Sequence, residues 1–135
     1  MSIVVGRLPT KEGRAALRRA AEEARLRKVP MIVVDTDRHL RDPDSHEGQR
    51  LEELLTELRL DLDDHEIPHE VRSTSVGSDA AEDLIAVAEH EDAQLIVIGL
   101  RRRTPVGKLI LGSNAQRILL DASCPVLAVK AASTD

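Results

Sequence analysis

The chain has 135 residues, a length typical of one domain, and its single cysteine, Cys124, excludes a disulfide-stapled miniprotein. Apolar residues make up 41% of the sequence, but Phe, Tyr and Trp are all absent, so the core must be built from Val, Ile, Leu and Ala. The lack of aromatic rings also removes the stacking platforms on which single-stranded nucleic-acid binding relies. No apolar run is long enough to span a membrane and no signal peptide is visible, so we expect a cytoplasmic protein with one domain over residues 1–135.

The net charge of −5 conceals a strongly uneven distribution along the chain. Segments 1–41 and 97–135 carry net charges of +5 and +4, whereas segment 42–96 carries −14. An acidic protein is a poor ligand for duplex DNA, because neutralisation of the phosphates drives that binding. The charge pattern therefore argues against a nucleic-acid partner, and an anion is expected to bind, if anywhere, at the basic C-terminal third.

The first half of the sequence predicts two strands, each followed by a helix. Residues 3–5 form a short β-branched strand, and Thr10 can cap a helix over about 11–28. A second apolar run over 31–34 predicts another buried strand, and Ser45 can cap a second helix. The inward-facing residues expected on the first helix are Leu17, Ala20, Ala21, Ala24 and Leu26, and those on the second are Leu51, Leu54, Leu55, Leu58 and Leu62.

The second half predicts three more strands with a helix before each of the last two. A polar run over 67–76 is typical of an edge strand, and Ser78 or Asp79 can cap the helix that follows. A fourth strand over 94–98 is apolar on both faces. Ser113 and Gln116 have the spacing of a capping box, which predicts a helix over about 114–122, and the last strand covers 126–129.

Short, continuously apolar strands alternating with helices are typical of a parallel sheet covered by helices on both faces. Ligands bind such a sheet beyond the carboxyl ends of its strands, at the point where the strand order reverses. With the first and fourth strands at the centre, the lips of that crevice are residues 6–9 and 99–103. Phosphate binding there is favoured by the arginines at 101–103 and by Gly112 and Ser113 at a helix start. The alternative is that the glycines serve turns and caps while the arginines are solvated.

Other patterns point to chemistry only weakly. His65 and His69 have a ligand-like spacing, but they straddle a proline and cannot share a helix face. Asp35 and Asp37 follow the second strand and could hold Mg²⁺ through water, although loop aspartates are more often solvated turn formers. Cys124 has no visible histidine partner. The sequence therefore predicts neither a metal site nor a catalytic residue.

The C-terminal third carries a specific resemblance. This part of the chain resembles universal stress proteins of the UspA type in three features: Gly99 followed after twelve residues by Gly112-Ser113, then Asn-Ala-Gln-Arg-Ile-Leu, and then Cys-Pro-Val-Leu-Ala-Val. The length and element order also agree with that family over about residues 2–130. The resemblance implies an α/β fold with a five-stranded parallel doubly wound sheet in the order 3-2-1-4-5 and helices on both faces. Many members bind ATP through a Gly-x2-Gly-x9-Gly-Ser/Thr loop. The residues that the resemblance assigns to a nucleotide site are Gly99, Arg102, Gly112, Ser113, Asn114 and Val33.

Two positions depart from the family pattern. The middle glycine of the loop falls on Arg102, whose side chain narrows the approach to phosphate but can grip it bidentately. The acidic residue that addresses adenine in ATP-binding members falls on Leu8. We therefore expect a phosphate-type anion or a weakly held nucleotide, with little discrimination between ATP and GTP.

The resemblance implies a binding or signalling module of the stress response rather than an enzyme. A slow ATPase, with Gly99, Arg102, Gly112 and Ser113 holding the triphosphate, and a nucleotide-free, partner-binding dimer are the alternatives. An edge strand with bare backbone invites pairing with another chain. The resemblance also implies an antiparallel homodimer through the last strand, formed by Val126, Leu127, Ala128 and Val129.

Overall fold

A computed structural model of the chain describes residues 1–8, 10–35, 45–74, 79–100 and 112–131. Strands and helices alternate through these residues. The strands are β1 (Ser2–Gly6), β2 (Met31–Asp35), β3 (His69–Ser73), β4 (Ala93–Leu100) and β5 (Val126–Lys130). The helices are α1 (Lys11–Arg27), α2 (His46–Asp64), α3 (Ala80–His90) and α4 (Ser113–Asp121).

The five strands form one parallel sheet in the order β3-β2-β1-β4-β5. The expected fold and strand order are therefore confirmed, and the polar third strand does lie at an edge. β1 pairs with β2 on one side, where Val5 aligns with Val33, and with β4 on the other, where Val5 aligns with Val97. The strand order reverses between β1 and β4, which places the carboxyl ends of these two strands at the switch point.

Two apolar layers cover the sheet, one on each face. Successive strand residues point to opposite faces, so Ile3 and Val5 pack with α1 and α2 while Val4 packs with α3 and α4. The leucines that give α2 its helical period supply much of the first layer: Leu51, Leu54, Leu55 and Leu62 are buried, and Leu58 packs against them. As the composition predicts, the core consists of aliphatic side chains and one methionine, Met31.

The caps of α1, α2 and α3 form as the sequence predicts. The side chains of Thr10, Ser45 and Asp79 each accept a hydrogen bond of 3.0 Å from the backbone N–H three residues later. The capping box expected at α4 is wrong. Gly112 occupies the cap position in an extended conformation, Ser113 is the first helical residue, and no side-chain cap bond forms in the described part of the chain.

Three smaller expectations also change. Leu26 does not face inward but is 66% exposed, because it lies two residues, about 200° of helical turn, beyond the buried Ala24. β4 extends past the expected 94–98 to Leu100, whereas β3 ends at Ser73. Residues 75–78 lie outside the described ranges. Within those ranges, no helix combines the length and apolar character needed to cross a bilayer.

Candidate functional site

A cleft of about 120 Å³ lies at the switch point, where the carboxyl ends of β1 and β4 meet the first turns of three helices. This is the place where the doubly wound topology predicts a ligand. Small residues from β1, α1, α3, β4 and α4 leave the space open, and Leu8, Asn114 and Ile118 also contribute to the wall. The small residues are Gly6, Gly13, Ala16, Ala80, Ala81, Gly99 and Ala115.

Gly99, at the β4 side of the cleft, has a structural reason to be glycine. A Cβ on Gly99 would lie 2.6 Å from the carbonyl carbon of Glu12, in the first turn of α1. The main chain of α1 therefore fills the space that a side chain would take. Gly13 is constrained in the same way, because its Cβ would lie 2.7 Å from the Cβ of Leu8.

Gly112 differs, because a Cβ there would meet no atom of the described residues within 4 Å. Gly112, Ser113 and Asn114 are exposed, and they form the start of α4 beside the cleft. The first N–H groups of a helix have no partner inside the helix, and the helix dipole makes this end positive. Since no described side chain caps α4, its first amides are suited to an anion.

Leu8 lies at the cleft with 37% of its surface exposed. The structure thus places an apolar side chain where the resemblance puts the adenine-addressing acid. An aliphatic side chain offers neither a donor nor an acceptor to a base. The described wall of the cleft next to β1 can therefore contribute shape and apolar contact but no side-chain hydrogen bond.

Charged groups cluster at the neighbouring ends of β1 and β2. The guanidinium of Arg7, buried immediately after β1, lies 3.8 Å from the carboxylate of Asp35 and also pairs with Glu52 of α2. Arg14 of α1 is buried as well and hydrogen-bonds Glu47 of α2. That hydrogen bond holds the pKa of the Glu47 carboxyl below its usual range. Sequence patterns missed this cluster, because the acidic partners on α2 are more than thirty residues from the arginines.

Val33, another sequence-predicted site residue, does not line the described cleft. Val33 lies in the middle of β2, is 1% exposed, and is paired with Val5 and Val71 of the neighbouring strands. Its assignment to adenine contact stays a prediction that depends on the resemblance. Arg102 lies outside the described residues, as do the flanking arginines at 101 and 103.

The weaker candidates have ordinary structural partners. His65 Nδ1 lies 2.8 Å from the Asp61 carbonyl oxygen, and His69 Nε2 lies 2.8 Å from the Asp63 carboxylate. Asp35 faces a guanidinium, which disfavours a cation there, and Asp37 lies outside the described residues. Burial raises the pKa of the Cys124 thiol, which opposes thiolate chemistry. The described residues contain no group of three potential metal ligands.

The parallel sheet, its 3-2-1-4-5 order and the cleft at the switch point define a doubly wound α/β domain with a candidate ligand site at the carboxyl ends of its central strands. Residues 1–130 match the model of the universal stress protein family. A universal stress protein from Mycolicibacterium smegmatis is 41% identical over 131 residues, which cover 95% of this chain and 96% of that protein. The chain therefore belongs to the universal stress protein family.

Solved structures agree with this assignment. A universal stress protein from Archaeoglobus fulgidus matches with a TM-score of 0.70 and 34% identity, covering 96% of this chain and 98% of that one. A structure of the universal stress protein from Archaeoglobus fulgidus in complex with dAMP matches with a TM-score of 0.68 and 30% identity over the same shares of the two chains. The second structure shows that a relative with this fold holds an adenine nucleotide.

Proposed function

We propose that this chain is a single-domain binding and signalling module of the cytoplasmic stress response that takes up a phosphate-bearing ligand weakly at the β4–α4 side of the cleft. The observation that carries the proposal is the start of α4, where Gly112 leaves open space and no described side chain caps the helix. The phosphate contacts are assigned to residues 99–103 and 112–114. The dAMP complex of a relative supports a nucleotide as one such ligand.

The phosphate end of the ligand has the stronger support. The first amides of α4 have no partner inside the helix, and the exposed Ser113 beside them would offer a hydroxyl. Arg102, assigned from the resemblance, would add a bidentate guanidinium contact in place of the amide that glycine offers in other members. Gly99 is assigned to the β4 edge of the site, although the packing of α1 already requires a glycine there.

The base end of the ligand has weaker support. Leu8 supplies apolar contact without an acceptor, and Val33 would contribute only through its backbone. A nucleotide held mainly by its phosphates discriminates little between adenine and guanine. ATP, GTP and inorganic pyrophosphate are accordingly expected to bind with similar, salt-sensitive affinities.

Calorimetry with ATP, GTP and pyrophosphate at low salt tests this proposal. We expect weak binding of all three, lost or reduced at least severalfold in Gly112→Ala, because the new Cβ projects into the open space beside the first amides of α4. Thr56→Ala, on the exposed surface of α2, is the matched control and should bind normally. Tight binding selective for ATP, or no binding of any of the three, would contradict the proposal.

Two rival functions give different outcomes in the same preparation. A cleft of about 120 Å³ is smaller than the roughly 300–1,000 Å³ of ordinary ligand pockets, which favours a nucleotide-free, partner-binding module as the second candidate. Absence of binding would support that candidate. Phosphate release from ATP above a no-protein control, abolished in Ser113→Ala, would instead support a slow ATPase.

We also propose a homodimer through β5, formed by Val126, Leu127, Ala128 and Val129. β5 is an edge strand with no charged residue before Lys130, whereas the opposite edge, β3, carries His69, Glu70 and Arg72. Charges on an edge oppose pairing with another chain, so β5 is the edge suited to it. The dimer of universal stress proteins implied by the resemblance uses this strand.

The amides along β5 point alternately toward β4 and toward the outer edge, and this alternation identifies a substitution that tests the dimer. The Ile96 amide donates to the Pro125 carbonyl at 3.1 Å, so alternation directs the Leu127 amide toward β4 and the Val126 and Ala128 amides toward the outer edge. Ala128→Pro should therefore convert a dimer into a folded monomer, as measured by light scattering and circular dichroism. Leu127→Pro should disrupt the sheet itself. A monomeric native protein at micromolar concentration, or a dimer that survives Ala128→Pro, would refute the interface.

A further inference from the structure

Two arginine–glutamate pairs connect α2 with residues near the carboxyl ends of the strands, and in both pairs the arginine is buried while the glutamate is exposed. The side chains of Arg7 and Arg14 are only 6% and 5% exposed, whereas their partners on α2, Glu52 and Glu47, are 54% and 47% exposed. The cations are thus fixed within the fold, and the anions reach them from a solvent-facing helix surface. A third α1–α2 pair, Arg25 with Asp61, lacks this asymmetry, since its members are 41% and 40% exposed.

A buried guanidinium is costly to leave without a counter-charge. Its planar set of N–H donors matches the oxygen atoms of a carboxylate and of a phosphate equally well. Arg7 follows β1 directly, and Arg14 lies in the first turn of α1, whose positive end points toward the same edge. The guanidinium groups of Arg7 and Arg14 are therefore already held near the carboxyl ends of the strands, where an anion can pair with them.

We propose that Arg7 and Arg14 form an anion-binding lip at the end of β1, which Glu52 and Glu47 occupy as internal ligands and which accepts a phosphate-type oxyanion when those carboxylates leave. Asp35 lies 3.8 Å from Arg7, so Arg7 keeps one acidic neighbour when Glu52 is withdrawn. Binding of an external anion would exchange contacts with the first half of α2 for contacts with the ligand. Occupancy of the lip is thereby linked to the attachment of α2.

This lip is distinct from the start of α4, and the experiment can separate the two. We use Gly112→Ala as the background, so that binding at α4 is impaired, and titrate inorganic pyrophosphate into Glu47→Ala, Glu52→Ala and the double variant. Glu47→Ala should raise the affinity for pyrophosphate about tenfold at low salt, and Glu52→Ala should raise it by less, because Asp35 still faces Arg7. Asp61→Ala, which breaks the pair that is exposed on both sides, should leave the affinity unchanged.

Loss of the internal anions also predicts a stability effect that can be measured on folded variants of reduced stability. Each glutamate variant should melt at a lower temperature in sodium chloride, and pyrophosphate at matched ionic strength should restore much of the loss, because it binds the folded state only. The Asp61→Ala control should gain no more than the parent protein. No gain in affinity and no excess thermal recovery in the glutamate variants would overturn the proposal, even if binding at α4 stands.

Discussion

The β4 side and the β1–β2 side of the crevice both lie at the carboxyl ends of the central strands, but they differ in how their side chains treat charge. On the β4 side, small residues and an exposed helix start leave space, and the described residues place no charged side chain in the cleft wall. On the β1–β2 side, the guanidinium of Arg7 is buried beside Asp35 and Glu52, so charge is neutralised within the chain. At a switch point, the local side chains therefore determine whether charge is neutralised within the chain or the cleft stays open to an anion.

The largest expected effect is a difference in stability between alanine variants of Gly99 and Gly112, which both match glycines of the family motif. Gly99→Ala should lower the free energy of unfolding by about 1–3 kcal/mol, because the new Cβ collides with the main chain of α1. Gly112→Ala should change it by less than about 1 kcal/mol, because the position has an extended backbone and open space. Urea unfolding of both variants measures the difference, and equal losses would show that the two positions are not distinct.

An acid at position 8 should sharpen base selectivity. Leu8→Asp places a carboxylate acceptor in the apolar wall of the cleft, where an adenine amino group can donate to it and guanine cannot in the same pose. We expect the ratio of ATP to GTP affinity to rise about tenfold, which corresponds to roughly one charge-assisted hydrogen bond. Leu8→Asn is the matched neutral control. An unchanged ratio in Leu8→Asp would mean that the base does not lie against this wall.

The smallest expected effect is the change in stability at acid pH when the pair of Arg14 and Glu47 is altered. The hydrogen bond from Arg14 lowers the pKa of Glu47 in the folded state, so its stabilising contribution is present above the ordinary glutamate range and is lost as the pH falls through the lowered folded pKa. Glu47→Gln should therefore flatten the acid limb of the stability profile by less than about 1 kcal/mol, given the exposure of this carboxylate. Urea unfolding across mildly to strongly acidic pH, compared with Glu57→Gln on the exposed face of α2, measures it.

Local signals predicted most of the fold, whereas contacts between distant segments decided the site. Thr10, Ser45 and Asp79 cap their helices within three residues, so the sequence window contains both partners. The start of α4 was misplaced by one residue, because glycine and serine are both acceptable caps and only the backbone angles of Gly112 distinguish them. The collision that requires Gly99 comes from Glu12, far away in the chain, and no local pattern contains it.

The central claim, that a phosphate-bearing ligand binds at the start of α4, is tested most directly by following backbone amide NMR resonances during a pyrophosphate titration at low salt. The account predicts that the amides of Gly112, Ser113 and Asn114 shift first and saturably, and that these shifts are suppressed in Gly112→Ala. Saturable shifts confined to the Arg7 and Arg14 region, or no shifts in either half of the crevice, would contradict it.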